Sequence, residues 1–331
     1  MRGAAILIDG CGVQVRLEQA EAEMSKAASA FIGITGIIAA SLLPALGQVT
    51  SAGWSTLAPL PTARQEIAVS VLDGKVFVIA GYDANGQSTA TVEVYDSRSN
   101  AWQKAAPLPI ATNHDAAATV NGRLYAFGGT SPRAFVYAAD RDAWTEVAST
   151  RYTHGGTPAV AVIGGKIYVA GGTGADMAGN ELEVYDPAAD KWQVLAAMGV
   201  PRNHTAGGAI GGRFYVVGGR GSPGASTAHE MYDPTTNTWT TRAALPTGRS
   251  GIAAGVVGER LYVFGGEIPR LFGEVEVYDP ATDRWQSLAP MPEPRHGIFA
   301  GVIGNTIYLP GGGTRQGLGT TNVNSAFRVS P

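Results

Sequence analysis

A short pattern of glycines, a tyrosine and a tryptophan recurs along most of the chain and limits the folds it can adopt. An apolar run ending in Gly-Gly, or in Ala-Gly in the first copy, occurs six times, and the second residues of successive pairs are 48, 43, 47, 47 and 46 positions apart. The pairs are Ala80-Gly81, Gly128-Gly129, Gly171-Gly172, Gly218-Gly219, Gly265-Gly266 and Gly311-Gly312. Self-similarity at a period of 40–50 residues indicates a repeat architecture.

Each repeat reads as four short strands, a to d. Strand a is small and apolar, and a two-residue turn such as Asp73-Gly74, of a type that favours hairpins, leads to strand b. Strand c carries Tyr-Asp in four copies, and strand d carries the tryptophan. The Tyr-Asp pairs begin at Tyr95, Tyr185, Tyr232 and Tyr278, and the strand d tryptophans are Trp102, Trp144, Trp192, Trp239 and Trp285.

From Ala52 to the C-terminus, this pattern resembles the kelch repeat. The resemblance implies an all-β fold, a six-bladed kelch β-propeller with four strands in each blade. Trp54 precedes the first complete repeat, and the last repeat lacks a tryptophan. We therefore expect residues 52–57 to supply strand d of the C-terminal blade and close the ring. The expected blades span about 66–106, 114–148, 157–196, 204–243, 251–289, and 297–329 plus 52–57.

The N-terminal segment predicts export. Residues 27–46 are apolar and uncharged, Lys26 precedes them, and Ala45-Leu46-Gly47 is a small-x-small cleavage pattern. Because Met24 lies just before Lys26, we interpret residues 1–23 as an upstream extension, 24–47 as a signal peptide and 48–331 as the mature propeller. A retained single-pass anchor is the alternative. Cleavage would remove the only candidate membrane span and release a periplasmic or secreted protein. Cys11, the one cysteine, lies outside the expected mature chain.

Charge and repetition narrow the functional classes. The net charge of −3 argues against nucleic-acid binding, which needs a basic excess. A residue that recurs at the same position of several blades is expected to have a structural role. The glutamates two positions before the Tyr recur in this way, and the neighbouring His229 is interpreted as structural too. These glutamates are Glu93, Glu183, Glu230 and Glu276.

Function is expected on the face that the d–a and b–c loops share, because variable loops on a rigid scaffold usually carry binding residues. Arginine, whose fork grips carboxylates and phosphates, collects on these loops. The loop arginines are Arg64, Arg133, Arg151, Arg202, Arg220, Arg249, Arg270, Arg295 and Arg315. His114, His154, Asn203, His204 and His296 also lie on d–a loops. The preferred hypothesis is a binding protein for an anionic ligand, either a sugar acid or an acidic peptide or protein.

The alternatives are that several arginines pair with nearby acids, or that the protein is a non-catalytic envelope scaffold. The acids close in sequence are Glu66, Asp115, Asp176 and Glu267. No metal or other cofactor is expected. The mature chain lacks the cysteine that the copper radical oxidases of the kelch family need, and the Glu-x-x-x-Asp-x-x-x-His spacing of the iron-dependent specifier proteins is missing.

A catalytic alternative comes from one loop. Gly265-Gly266-Glu267-Ile268-Pro269-Arg270 resembles the segment of the N-acetylneuraminate epimerases (sialic acid mutarotases), in which the proposed catalytic glutamate follows the glycine. The resemblance implies Glu267 as general base, helped by His296 or His204, with Arg220, Arg249 or Arg295 on the substrate carboxylate. The long insertion of that family is missing here, and the arginine spacing differs.

Overall fold

The computed structural model describes residues 49–51, 53–175 and 177–330, and these contain 25 strands and no helix. They form six antiparallel sheets. The extension, the signal peptide and the alternative anchor, all expected within residues 1–47, lie outside the described residues. No helix able to cross a membrane is found in the part of the chain that is described.

The strands follow the expected a–b–c–d order in every blade. Blades 1 and 2 comprise β3 (Ala68–Leu72), β4 (Lys75–Ile79), β5 (Val92–Asp96), β6 (Ala101–Ala105), β7 (Asp115–Val120), β8 (Arg123–Gly128), β9 (Ala134–Ala138) and β10 (Ala143–Val147). Blades 3 and 4 comprise β11 (Ala159–Ile163), β12 (Lys166–Ala170), β13 (Leu182–Asp186), β14 (Lys191–Val194), β15 (Ala206–Ile210), β16 (Arg213–Val217), β17 (His229–Asp233) and β18 (Thr238–Thr241). Blades 5 and 6 comprise β19 (Ala253–Val257), β20 (Arg260–Phe264), β21 (Val275–Asp279), β22 (Arg284–Leu288), β23 (Gly301–Ile303), β24 (Thr306–Pro310), β25 (Asn324–Arg328), β2 (Trp54–Thr56) and β1 (Val49–Ser51).

The ring closes as the sequence predicts. Strand β2 pairs antiparallel with β25, so the N-terminal segment supplies strand d of blade 6, and β1 adds a fifth strand at its edge. Trp54 is fully buried there, with edge-on contacts to Phe264 and Phe327. The all-β, six-bladed propeller expected from the repeats is confirmed.

The recurring tryptophans join neighbouring blades. The Trp102 indole N–H donates to the Ala58 carbonyl at 2.8 Å, and Trp285 donates to Ala243 of the preceding blade at 2.8 Å. The same bond forms at Trp144, Trp192 and Trp239, and at 3.4 Å from Trp54 to Ala289. Each indole therefore ties its blade to the one before it.

The Gly-Gly pairs allow adjacent loops to approach closely. Gly265 and Gly266 have φ of 60° and 115°, which favours glycine. A Cβ on Gly265 would lie 2.3 Å from the Arg295 carbonyl oxygen, and one on Gly266 would lie 2.8 Å from that of Ser250. The residue after the pair, Glu267, is thereby held against the d–a loop.

Asp115 buries an unsatisfied carboxyl group in the core of blade 2, and its replacement by an apolar residue is expected to stabilise the protein. Burial raises the pKa of its carboxyl to about 8, and neither oxygen has a hydrogen-bond partner among the described residues. An unsatisfied buried polar group costs about 1–3 kcal/mol. Asp115→Leu keeps the branched shape, so we expect the free energy of unfolding in urea to rise by about that amount.

The control is Thr205→Val, at the equivalent position of blade 4, where one buried hydroxyl lacks a partner. Thr205→Val should raise the free energy of unfolding by less than Asp115→Leu does. A lower midpoint for Asp115→Leu would mean that the carboxyl makes a stabilising interaction.

Candidate functional site

Six residues, one from each d–a loop, form a closed ring around the propeller axis, here called the axis ring. They are Glu66, His114, Gly156, His204, Gly251 and Gly297. All have φ between 52° and 65°. Backbone hydrogen bonds join successive members: Glu66 to Gly297, His114 to Glu66, His204 to Gly156, Gly251 to His204 and Gly297 to Gly251, with Thr157 making the link to His114. Three members are glycine, so within this ring only Glu66, His114 and His204 carry side chains.

A second tier surrounds the axis ring. In five of the six blades, all but blade 2, the residue after the Gly-Gly or Ala-Gly pair forms a bridge with the d–a residue preceding the ring member, as in Ser250–Glu267 and Asn203–Arg220. Glu267 N–H donates to the Ser250 carbonyl at 2.7 Å, and Ser250 N–H donates back at 3.1 Å. The position of Glu267 is therefore fixed by backbone contacts, which leaves its side chain for chemistry.

The two tiers enclose a cavity of about 320 Å³ at this end of the axis. That volume is in the range of small-molecule sites. It is lined by Gln65, Glu66, Tyr82, Gly86, His114, His204, Arg220, Glu267, His296, Gly317 and Leu318. A second cavity of about 360 Å³ is lined mostly by the small apolar residues of the a strands, which gives it little chemistry.

An ion pair spans part of the polar cavity. Arg220 Nη1 lies 2.7 Å from Glu267 Oε1, and Glu267 Oε2 accepts a hydrogen bond of 3.2 Å from the Gly317 N–H. Arg220 Nη2 also donates to His204 Nε2 at 2.7 Å. The carboxylate is buried and the guanidinium is partly exposed, so Arg220 is the cation that a ligand entering the cavity would meet.

Burial lowers the pKa of all three imidazoles of the cavity, which favours their neutral form. Burial, reinforced by Arg220, lowers the pKa of His114 to about 4. Burial and then Arg220 also lower the pKa of His204 well below its ordinary value. Burial lowers the pKa of His296, although Glu267 opposes the shift. Each ring therefore offers one donor and one acceptor nitrogen.

Glu66 is the second carboxyl of the cavity. Burial, followed by repulsion from Glu267, raises its pKa to about 8, while Arg220 acts in the opposite direction. Its Oε2 lies 3.4 Å from His114 Nε2, and its Oε1 lies 3.6 Å from His296 Nδ1. His296 Nδ1 is also 3.6 Å from Glu267 Oε2, so one imidazole stands between the two carboxyl groups.

The residues expected to carry catalysis share this cavity. Glu267, His296 and His204 all line it, together with His114 and Arg220. Asn203 lies beside it, bonded through Oδ1 to His204 Nδ1 at 2.5 Å. Their assigned roles remain predictions.

Four of the expected ligand-binding arginines point into the blades instead of the cavity. Arg64, Arg202, Arg249 and Arg295 are buried and bond to backbone carbonyls at the ends of strands b. The first three pair with the repeated strand c glutamates Glu93, Glu230 and Glu276, whereas Arg295 bonds to Ser325. Such guanidinium groups, held inside the protein, offer no surface to a ligand. His154 occupies the same place in blade 3, 3.0 Å from Glu183.

The other expected arginines lie on exposed loops. Arg270 pairs with Glu274 and stacks over Phe272 at 4.2 Å, while Arg315 Nε donates to the Leu318 carbonyl at 2.7 Å. Arg151 is exposed, and Arg133 pairs with Glu146 at 2.7 Å. These guanidinium groups are absent from the lining of the described cavity.

From the sequence, Glu66 was expected only to pair with an arginine, and no role was predicted for Tyr82. A signal for Glu66 was present, because it stands 14 residues before Ala80, the offset of His114 before Gly128 and of His204 before Gly218. At the same offset, blades 5 and 6 carry Gly251 and Gly297, so aligning the d–a loops would have shown three chemically active side chains at a position that two other blades fill with glycine.

Comparison with known proteins agrees with this architecture. The family model of the KLHDC2/KLHL20/DRC7 Kelch-repeats domain matches residues 47–203 and 135–312. Kelch-like protein 35 of Mus musculus is 25% identical over 119 residues, 36% of this chain and 21% of that protein. The chain thus spans about a fifth of that curated relative's length. The solved structure of YjhT is similar with a TM-score of 0.69 at 17% identity, covering 83% of this chain and 98% of that one, which is a likeness of fold.

Proposed function

The chain belongs to the kelch-repeat family, and from the groups in its axial cavity we propose that it is an exported isomerase that exchanges the anomers of a sugar acid such as N-acetylneuraminate. The observation that carries the proposal is the placement of Glu267. Its buried carboxylate lies in a cavity of small-molecule size, next to an arginine that can recognise a second carboxylate.

Anomer exchange needs few catalytic groups from the protein. Glu267 takes the proton of the anomeric hydroxyl as the bond between the anomeric carbon and the ring oxygen breaks, and water gives a proton to the ring oxygen. The open-chain ketone turns about its bond to the next carbon. The ring-forming hydroxyl then adds to the other face of the carbonyl and gives its proton back to the hydroxide left by that water, and Glu267 returns its own proton to the former carbonyl oxygen. General-base assistance of this kind contributes about 10²–10⁴-fold.

Arg220 holds the substrate in this proposal. Its side chain is 28% exposed, whereas that of Glu267 is 6% exposed, so an incoming carboxylate reaches the guanidinium first. A two-point contact between Arg220 and the substrate carboxylate would draw the guanidinium away from Glu267 and leave that oxygen open to the anomeric hydroxyl.

Non-catalytic binding of an anionic ligand is the second candidate, and the exposed loop arginines favour it. Arg151, Arg270 and Arg315 are all solvent-accessible. They suit the rim of a surface for an acidic peptide better than a small-molecule site, because they do not line the cavity.

The test is NMR exchange spectroscopy of N-acetylneuraminate with the full chain at neutral pH. Interconversion of the anomers well above the buffer rate is the expected result. Folded protein that broadens the sugar signals without accelerating exchange would overturn the isomerase and support the binding candidate. Neither broadening nor acceleration would also overturn it, and acidic peptides would be tested next.

A further inference from the structure

The hydrogen bonds of His114 and His204, two members of the axis ring, determine which nitrogen of each imidazole carries the proton. Asn113 Oδ1 contacts His114 Nδ1, and Asn203 Oδ1 contacts His204 Nδ1 at 2.5 Å. An amide oxygen only accepts, so both rings carry their proton on Nδ1 and present a bare, unprotonated Nε2. That of His204 accepts a hydrogen bond from Arg220, whereas that of His114 faces Glu66. The two rings lie edge to face, with their centres 5.0 Å apart.

The Glu66 carboxyl faces further lone pairs. His296 Nε2 donates to the Arg315 carbonyl at 2.9 Å, so the Nδ1 that lies 3.6 Å from Glu66 Oε1 is also bare. Among the described residues, no hydrogen bond reaches Glu66 Oε2, which lies 3.4 Å from His114 Nε2. Acceptors that converge in a buried site repel one another unless a cation lies between them. A proton on Glu66 satisfies one such contact, whereas an ion can satisfy three.

We infer that Glu66, His114 and His204 form a binding site for one divalent transition-metal ion, with Zn²⁺ as its representative. One ligand atom from each residue lies within 4.8 Å of the others. Two imidazoles and a carboxylate are a common protein ligand set for Zn²⁺, bound at about 2.0–2.2 Å, with a fourth position open to water or substrate. The site shares its cavity, His204 and Arg220 with the proposed isomerase, but its three ligands do not include the proposed base, Glu267.

The backbone supports this assignment. The three residues are the non-glycine members of the axis ring, and their φ values are 52°, 55° and 52°. Non-glycine residues held in such strained conformations cluster at functional sites. The bonds from Asn113 and Asn203 orient the imidazoles, as second-shell partners of metal-binding histidines do.

Arg220 competes with the ion in the structure as it stands. Its Nη2 donates to the His204 Nε2 lone pair at 2.7 Å, where the ion would bind. Metal binding therefore requires the guanidinium to withdraw toward Glu267, 2.7 Å from its Nη1. Arg220→Met removes this competing charge and should raise the affinity for zinc.

The test is calorimetric titration of the untagged full chain, stripped of metal by a chelator, with zinc chloride. We expect one equivalent to bind, the affinity to fall by more than about 100-fold in His114→Phe and by about 10–100-fold in Asn113→Ala, and to rise in Arg220→Met. Should His114→Phe fail to fold, as judged by tryptophan fluorescence, His204→Phe gives the same test. No stoichiometric binding, or unchanged affinity in the folded phenylalanine variant, would overturn the site.

Glu267→Gln separates the two proposals, because it removes the proposed base and none of the three ligands. Its zinc affinity should stay within about tenfold of the wild type, since it changes only a neighbouring group. Zinc binding without anomer exchange would overturn the isomerase alone, and exchange without zinc binding would overturn the metal site alone.

Discussion

Glu267→Gln is expected to reduce the protein's contribution to anomer exchange of N-acetylneuraminate by about 10²–10⁴-fold, the usual contribution of general acid–base assistance. Glutamine has the size of glutamate, and its amide oxygen can still accept the Gly317 N–H bond. The backbone bridge to Ser250 does not involve the side chain. The variant therefore keeps the size and backbone position of the side chain. It loses the group that accepts the proton, together with the ion pair to Arg220. The measurement is exchange spectroscopy at a fixed protein concentration.

Glu274→Gln is the matched control. Glu274 follows Glu267 in the same loop and also pairs with an arginine, Arg270, but it lies outside the lining of the cavity. Its exchange rate should equal that of the wild type. If Glu267→Gln kept the wild-type rate, the base would have to be another group, and the resemblance of the Gly-Gly-Glu loop to the mutarotases would be accidental.

The fold could be predicted because its determinants are local and repeated. Gly265-Gly266 shows why: both residues have positive φ and lie against a neighbouring loop, so the requirement returns in every blade and is visible in one sequence. Ring closure followed from Trp54, since a strand d tryptophan without a preceding strand c needs a partner from the other end of the chain. The edge strand β1 was not foreseen, because three residues carry no pattern.

The site could be predicted only in part, because the loop face was known but side-chain direction was not. Arg64, Arg202, Arg249 and Arg295 each stand 16 residues before their Ala-Gly or Gly-Gly. Their repetition favours a structural role, as it does for the strand c glutamates. In three of the four, pairing with a strand c glutamate satisfies both charges, whereas Arg295 bonds to Ser325. Glu66, His114 and His204 show the opposite signal, because they occupy a position that blades 5 and 6 fill with glycine.

The Arg249–Glu276 pair should therefore matter for stability. Arg249 is fully buried; it contacts Glu276 and donates to the carbonyls of Gly265 at 2.7 Å and Thr247 at 2.8 Å. Arg249→Met leaves the Glu276 carboxylate buried without its cation, which typically costs about 3–5 kcal/mol. We expect the free energy of unfolding, measured in urea by tryptophan fluorescence, to fall by that amount.

Blade 2 supplies the matched control for this prediction. Thr112 and Phe135 occupy its equivalent positions, so a blade can form without the ion pair. Replacing a whole buried pair with apolar groups is often neutral, because the desolvation cost disappears with the charges. The double variant Arg249→Thr with Glu276→Phe should consequently be more stable than Arg249→Met. A double variant that loses more than the single one would mean that Arg249 acts mainly through the Gly265 carbonyl, and such a variant should also displace the adjoining Glu267.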